Sequence, residues 1–310
     1  MGRALFIAAA VGLSAMAMSP FKHWAAAGAL LVGIALGLTV GNPFPDITKK
    51  ISKLGLQTAV VLLGFSLDLG TVARAGASGI GWALLSIGVT FALGLGISRW
   101  WSIRPSIGLL VTTGTAICGG SAIAAMSEAT DAPKEDVAVA LGTVFLLNAV
   151  ALVAFPAVGH LLHMTPAQFG IWAGIGIHDV ASVVGAATSY SPESLATATA
   201  VKLSRVLYLV PIVAFVSWRQ RSKGKAPFPF FILFFILASA IGTFAHLDAS
   251  ILNIVRTLAT IGFVLALLSI GVGVQRETLK RVGIRPLALG LLLWIVLSLL
   301  GFAAALQTAV

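Results

Sequence analysis

Two stretches decide the fold: Gly114-Thr115-Ala116-Ile117-Cys118-Gly119-Gly120-Ser121-Ala122 and Gly174-Ile175-Gly176-Ile177-His178-Asp179-Val180-Ala181-Ser182. Each is small, polar and glycine-rich, and each lies in the middle of a hydrophobic segment long enough to cross a bilayer. A helix in lipid cannot interrupt its backbone ladder without finding other partners, because hydrocarbon offers none. Two interruptions at bilayer depth predict a site built from exposed backbone, which in secondary transporters is where substrate binds.

The rest of the chain supports a membrane setting. Of 310 residues, 58% are hydrophobic and only 10% charged, with a mean hydropathy of +1.03. A soluble domain carries about 25% charged residues, so soluble, disordered and fibrous classes are excluded. The net charge of +10 does not point to nucleic acid, because the basic residues sit in short loops, where the positive-inside rule places them. Cys118 is the single cysteine, so no disulfide forms within one chain and no Cys/His metal pattern exists; no cofactor is expected. No polar stretch is long enough for a soluble domain, and residues 1–310 read as one transmembrane transporter domain.

Hydrophobic runs at 3–18, 24–40, 53–69, 77–97, 105–127, 136–157, 167–188, 194–218, 228–246, 251–273 and 285–308 predict an all-α polytopic protein of ten to eleven transmembrane helices. Ala4–Met18 reads as a first helix in preference to a signal peptide cleaved after Ala15-Met16-Ala17. With every run crossing, even-numbered connections hold 14 basic residues and odd-numbered ones hold 3, namely Lys22, Arg74 and Lys134. That asymmetry places the N-terminus in the cytoplasm.

Two internal similarities emerge. Gly64-Phe65-Ser66-Leu67-Asp68-Leu69 with Arg74 lines up with Gly271-Val272-Gly273-Val274-Gln275-Arg276 with Arg281; the helices involved run in opposite directions, as inverted repeats would. The two glycine-rich stretches also match, since each precedes an acidic, proline-flanked loop (Pro133-Lys134-Glu135-Asp136 and Pro192-Glu193) and a helix carrying a proline (Pro156, Pro211). Counted as crossing helices these two units are parallel. Either they are no true repeat, or one glycine-rich stretch is a re-entrant hairpin; the sequence leaves both open. Gly33, Gly37 and Gly41, spaced by four, read as close helix packing.

Lys202 and Arg205 are three apart on one helix face, about 12 and 16 Å below Ser194 at 1.5 Å per residue. A charge at a helix centre costs about 2.5–3.5 kcal/mol or more, so a counter-anion is expected: either a substrate anion, or Asp179 and another acid in a buried pairing that holds the bundle together. His178-Asp179 is the one adjacent acid–base pair at this depth and is assigned, together with Asn148, to coupling or gating; for Asn148 a cap on a broken end, a substrate contact and a plain interhelical hydrogen bond stay open. Substrate contacts are assigned to Lys202, Arg205, Gly114, Thr115, Cys118, Gly119, Gly120, Ser121, Ser182 and Ser204. Glycines let backbone N–H groups face a cavity, and hydroxyls complete an oxyanion shell without adding charge. The histidines at 160, 163 and 246 lie in loops and carry little weight.

The run Thr113–Ala125, the Gly174–Ala181 run with its Ile177-His178-Asp179, and Val201-Lys202-Leu203-Ser204-Arg205-Val206 strongly resemble the YeiH-type family of bacterial inner-membrane proteins, and Leu62-Leu63-Gly64-Phe65 is similar to its third-helix motif. The resemblance spans nearly the whole chain. It implies export of an inorganic sulfur oxyanion such as sulfate or sulfite, and a fold of inverted repeats with crossed, broken helices, although here the breaks fall in the fifth and seventh segments. No G-x-x-x-x-G-K-[ST] motif is present, so energy is expected from a proton or sodium gradient. A channel would show rings of like residues, and an intramembrane enzyme would need a nucleophile–base contact at Ser121 or Ser182; the sequence favours neither. The lipid bilayer and a small anion are the expected partners, and a homo-oligomer remains open.

Overall fold

A computed structural model describes residues 2–18, 22–220, 230–245, 247–274, 276 and 282–307. Gln275, Arg281 and His246, named above, lie outside the described residues. Among those described, all eleven hydrophobic runs are helical, so the protein is an all-α polytopic membrane protein. In chain order the helices are α1 (Gly2–Ala17), α2 (Lys22–Thr39), α3 (Pro45–Lys50) continuing through a π-helical turn (Ile51–Gly55) into α4 (Leu56–Gly64), α5 (Leu69–Trp100), α6 (Pro105–Ala116), α7 (Gly120–Ala129), α8 (Lys134–Leu161), α9 (Pro166–Gly176), α10 (Val180–Tyr190), α11 (Ser194–Leu207), α12 (Leu209–Gln220), α13 (Phe230–Phe244), α14 (Ala249–Val272) and α15 (Ile284–Gln307). Among the described residues five spans are long and apolar enough to cross a membrane on length and composition alone: Ile80–Trp100, Lys134–Leu161, Ser194–Arg219, Ala249–Val272 and Ile284–Gln307. The pause between α11 and α12 has a local cause: Pro211 has no N–H to return to the Leu207 carbonyl.

The two glycine-rich segments are broken as expected, but they do not cross; each doubles back. Arg104, just before α6, forms an ion pair of 2.7 Å with Asp136 in the first turn of α8. Ser106 in α6 donates to the same carboxylate, and Gly114 packs on Val144 further along α8. So α6 and α8 start on one side and run parallel. Since α7 ends at Ala129, just before α8 begins at Lys134, α7 must return to the side that α6 left. Ile123 of α7 folds back against Gly114 of α6.

The second segment behaves the same way from the opposite side. Gly170 lies against Ser194, Thr197 and Ala198, and Gly174 against Val201, so α9 and α11 start together and run parallel. Tyr190, the last residue of α10, stacks on Phe169 near the start of α9, with ring centroids 3.9 Å apart. Its hydroxyl donates to the Met164 carbonyl, ahead of α9. Ser194 Oγ donates to the Ala187 carbonyl at 3.0 Å, tying the end of α10 to the start of α11. Pro105 and Pro166 each occupy the first helical turn of their hairpin, where a missing N–H is harmless. The 28 residues of α8 extend about 42 Å and carry the chain from one side to the other. The two hairpins therefore enter from opposite sides, and the two similar units are inverted. A reading in which both segments cross is corrected by these contacts.

The other repeat also has a physical counterpart. Gly55/Gly262, Ala59/Ala266 and Gly64/Gly271 are each 207 residues apart. The π-helical turn and α4 meet α14 through the first two pairs reciprocally: a Cβ on Gly262 would lie 2.9 Å from Ala59 Cβ, and one on Gly55 would lie 3.9 Å from Ala266 Cβ. This is antiparallel packing about a local two-fold axis. Gly64 then abuts the α13 backbone at Phe235, as Gly271 abuts the α2 backbone at Leu30. Gly33 and Gly37 pack directly on the α14 main chain, as small residues do in membranes. Gly41 does not; its φ of +79° ends α2, a conformation that favours glycine.

Hairpin topology predicts the accessibility of cysteines placed in a Cys118→Ser background. His163→Cys and Glu193→Cys should react with a membrane-impermeant thiol reagent from one side of sealed vesicles, and Ser102→Cys and Asp131→Cys from the other. Opposite-side labelling of 163 and 193 would show that the second segment crosses.

Candidate functional site

Both hairpin tips reach the middle of the molecule: α6 has 12 residues and α9 has 11, which extends each about 16–18 Å, half of a ~30 Å core. At the first tip, Ile117 leaves helical geometry (φ −119°, ψ −84°) and Gly119 takes φ +65° and ψ −127°. That backbone state favours glycine. Space demands glycine as well, since a Cβ on Gly119 would lie 3.0 Å from Asp179 Cβ on the other tip. At the second tip, Ile177 is extended (φ −84°, ψ 136°) and Asp179 caps α10. The Asp179 carboxylate accepts from Ser182 N and Ser182 Oγ, both at 2.8 Å. The tips thus touch, and each presents the C-terminal carbonyls of one half-helix beside the N-terminal amides of the next.

Lys202 and Arg205 are fully buried (relative exposure 0%) and reach both tips. Arg205 donates through Nη1 to the Ile175 carbonyl at 2.6 Å and through Nη2 to the Ala116 carbonyl. Lys202 Nζ donates to the Ile177 carbonyl. The two cations sit on the negative ends of α6 and α9, where the last carbonyls have no partner within their own helices. An ion pair with Asp179 was one expected answer to their charge. Among the described residues no ion pair joins Asp179 to either cation; the first counter-charge is main-chain carbonyl.

Several polar atoms around the crossing have no hydrogen-bond partner though buried: Arg205 Nε, Asn148 Nδ2, both ring nitrogens of His178, Thr115 Oγ1 and Thr199 Oγ1. Asn148 is anchored through its oxygen, which accepts the His178 N–H at 3.1 Å. Orphaned donors in a buried site normally have a purpose. None of them is satisfied by Asp179, whose two oxygens accept from Ser182.

The remaining assigned residues divide. Cys118 Sγ lies 2.8 Å from Ser121 Oγ, inside the first tip. Gly120 packs on Phe145, while Gly114 is consumed in packing on Ile123 and Val144. Ser121 lies on an exposed face of α7. Ser182 serves Asp179, and Ser204 donates to the Val201 carbonyl of its own helix at 2.8 Å, so neither faces the crossing as a free hydroxyl. No group of three or more His, Cys, Asp or Glu among the described residues could hold a metal ion.

The family described as Conserved hypothetical protein 698 matches residues 3–290. A UPF0324 membrane protein of Bdellovibrio bacteriovorus is 43% identical over 285 residues, 90% of this chain and 88% of its own. One from Geobacter sulfurreducens is 41% identical over 282 residues, 90% of each chain. One from Shewanella oneidensis is 38% identical over 303 residues, 97% of this chain and 94% of its own. The chain belongs to the UPF0324 family, the YeiH-type membrane proteins. No solved structure matches this UPF0324 chain.

Some residues of this UPF0324 protein gain a role that sequence reasoning missed. His160 stacks on Tyr190 at 4.3 Å and Tyr190 on Phe169, closing the mouth of the second hairpin. Arg104, Ser106 and Asp136 lock the mouth of the first. The one available signal was the acidic loop before α8; the aromatic stack had none, because its members are remote in sequence.

Removing the bridge should destabilise the fold. Arg205→Ala orphans two buried carbonyls at about 1–3 kcal/mol each, and Gly119→Ala forces a strained backbone at about 1–3 kcal/mol. Both should lower the midpoint of thermal unfolding in detergent, whereas Arg205→Lys, able to hold one carbonyl, should fall between Arg205→Ala and the parent. Unchanged midpoints in the first two variants would refute the bridge.

Proposed function

We propose that this protein is a secondary transporter of a small inorganic anion in the bacterial inner membrane, with its substrate held where the two hairpin tips meet. The observation that carries this reading is the donor-rich, buried crossing: two full cations and unpartnered donors on Arg205, Asn148 and His178, at a place where backbone is broken from both sides. Half-helix N-termini at α7 and α10 add amide donors suited to an oxyanion. Sulfate and sulfite are the substrates the family resemblance suggests. His178 and Asp179 at the second tip are the residues proposed to couple or gate.

The hairpins also support a cytoplasmic N-terminus. With residues 105–129 returning to their own side, Lys134 joins Arg104, which raises the more basic side to 15 residues against 2, Lys22 and Arg74. The positive-inside rule then puts the N-terminus in the cytoplasm. Transport is favoured over catalysis because the side-chain partner of Cys118, the strongest nucleophile at the tips, is the Ser121 hydroxyl rather than a base.

Purified protein in liposomes should give saturable flux of labelled sulfite or sulfate. Lys202→Ala, or Asn148→Ala with milder structural cost, should reduce it by about tenfold or more, as loss of one charge-assisted contact does. Flux that is absent in the parent, or unchanged in both variants, would sink the reading.

A further inference from the structure

The charge of the ligand can be argued from the groups that meet at the crossing, given the anion site proposed above. Four half-helix ends converge there. The C-terminal ends of α6 and α9 are negative and the N-terminal ends of α7 and α10 positive, each by about half an elementary charge. Two of each sign cancel. What remains are the full charges: Lys202 and Arg205, both fully buried, and the Asp179 carboxylate, which accepts two hydrogen bonds from Ser182. Cys118 and His178 are the other titratable groups at the tips, and both are counted neutral. The Asp136 carboxylate is at the mouth of the first hairpin and already paired with Arg104. With Lys202 and Arg205 taken as protonated and Asp179 as ionised, the buried crossing carries one net positive charge.

We propose that the central site takes a monovalent oxyanion, and that Asp179 sets this valence. A monoanion brings the crossing to neutrality. A dianion would leave one uncompensated negative charge in a buried, water-poor setting, which is costly wherever it occurs. Asp179 is placed to exert this control. It caps α10, and its Cβ lies against the first tip, 3.0 Å from where a side chain on Gly119 would begin. The unpartnered donors on Arg205 Nε, Asn148 Nδ2 and His178 supply what the oxygens of such an anion would accept. Hydrogen sulfite fits the description, and sulfate does not.

The decisive variant is Asp179→Asn, because asparagine caps a helix N-terminus about as well as aspartate and so keeps the tip folded while removing its charge. Flux into liposomes is compared at one mildly acidic pH, where sulfite is mostly the monoanion and sulfate the dianion. The parent protein should favour sulfite over sulfate, and Asp179→Asn should shift that ratio toward sulfate by about tenfold or more, a difference of affinities rather than a general loss. A parent that prefers sulfate, or a variant that loses both fluxes in proportion, would overturn the valence inference while leaving anion transport standing. No saturable flux of either anion would overturn both. Binding read without transport gives a second measure: the unfolding midpoint of detergent-purified protein should rise with sulfite in the parent and more with sulfate in Asp179→Asn, and the same order in both proteins would refute the proposal.

Discussion

A single guanidinium holds the two inverted hairpins together. Arg205 reaches the Ala116 carbonyl at one tip and the Ile175 carbonyl at the other. An arginine at this depth cannot stay unpaired, and neither can the last carbonyls of a half-helix surrounded by hydrocarbon. Each resolves the other's deficit. The planar fork of the guanidinium presents fixed, diverging donors that suit two separate carbonyls; Lys202 takes the Ile177 carbonyl. Without this bridge, both tips would leave polar backbone buried without partners, and neither hairpin could end where it does.

The same geometry sorts charge. Cations gather at the carbonyl ends of α6 and α9, while Asp179 sits at the amide end of α10. Gly119, the cap of α7, contributes no side chain, so the amide end of the first hairpin is left to backbone donors. The two tips are therefore not equivalent. One is capped by a carboxylate, and the other keeps its positive end bare beside buried donors. That difference, together with the cations, is what the proposed anion site rests on.

Much of this was readable from residues. Among the described residues each of the eleven hydrophobic runs is helical, and both interruptions fall within the quoted motifs, where glycine and small polar residues cluster. Lys202 and Arg205 do share a face, and the 207-residue repeat does mark a two-fold axis between α4 and α14. The doubling-back was not readable. A segment of about two dozen residues with a central break has the same length and hydropathy whether it crosses or returns. What decides is tertiary: Arg104 with Asp136, and Tyr190 with Phe169. The partner of the cations was likewise hidden, since any carbonyl can accept and sequence does not say which ones come near. Gly114 and Ser204 looked like ligands by type, yet their surroundings make them packing and helix-internal groups.

The central claim is that opposed hairpin tips form an anion site beside Arg205. Crystals grown with selenite, with selenium located by its anomalous scattering, test it most directly. The account predicts one dominant selenium peak between the tips, within hydrogen-bond reach of Arg205 or Asn148. Selenium found only along the basic loops, or none within the helices, would contradict it.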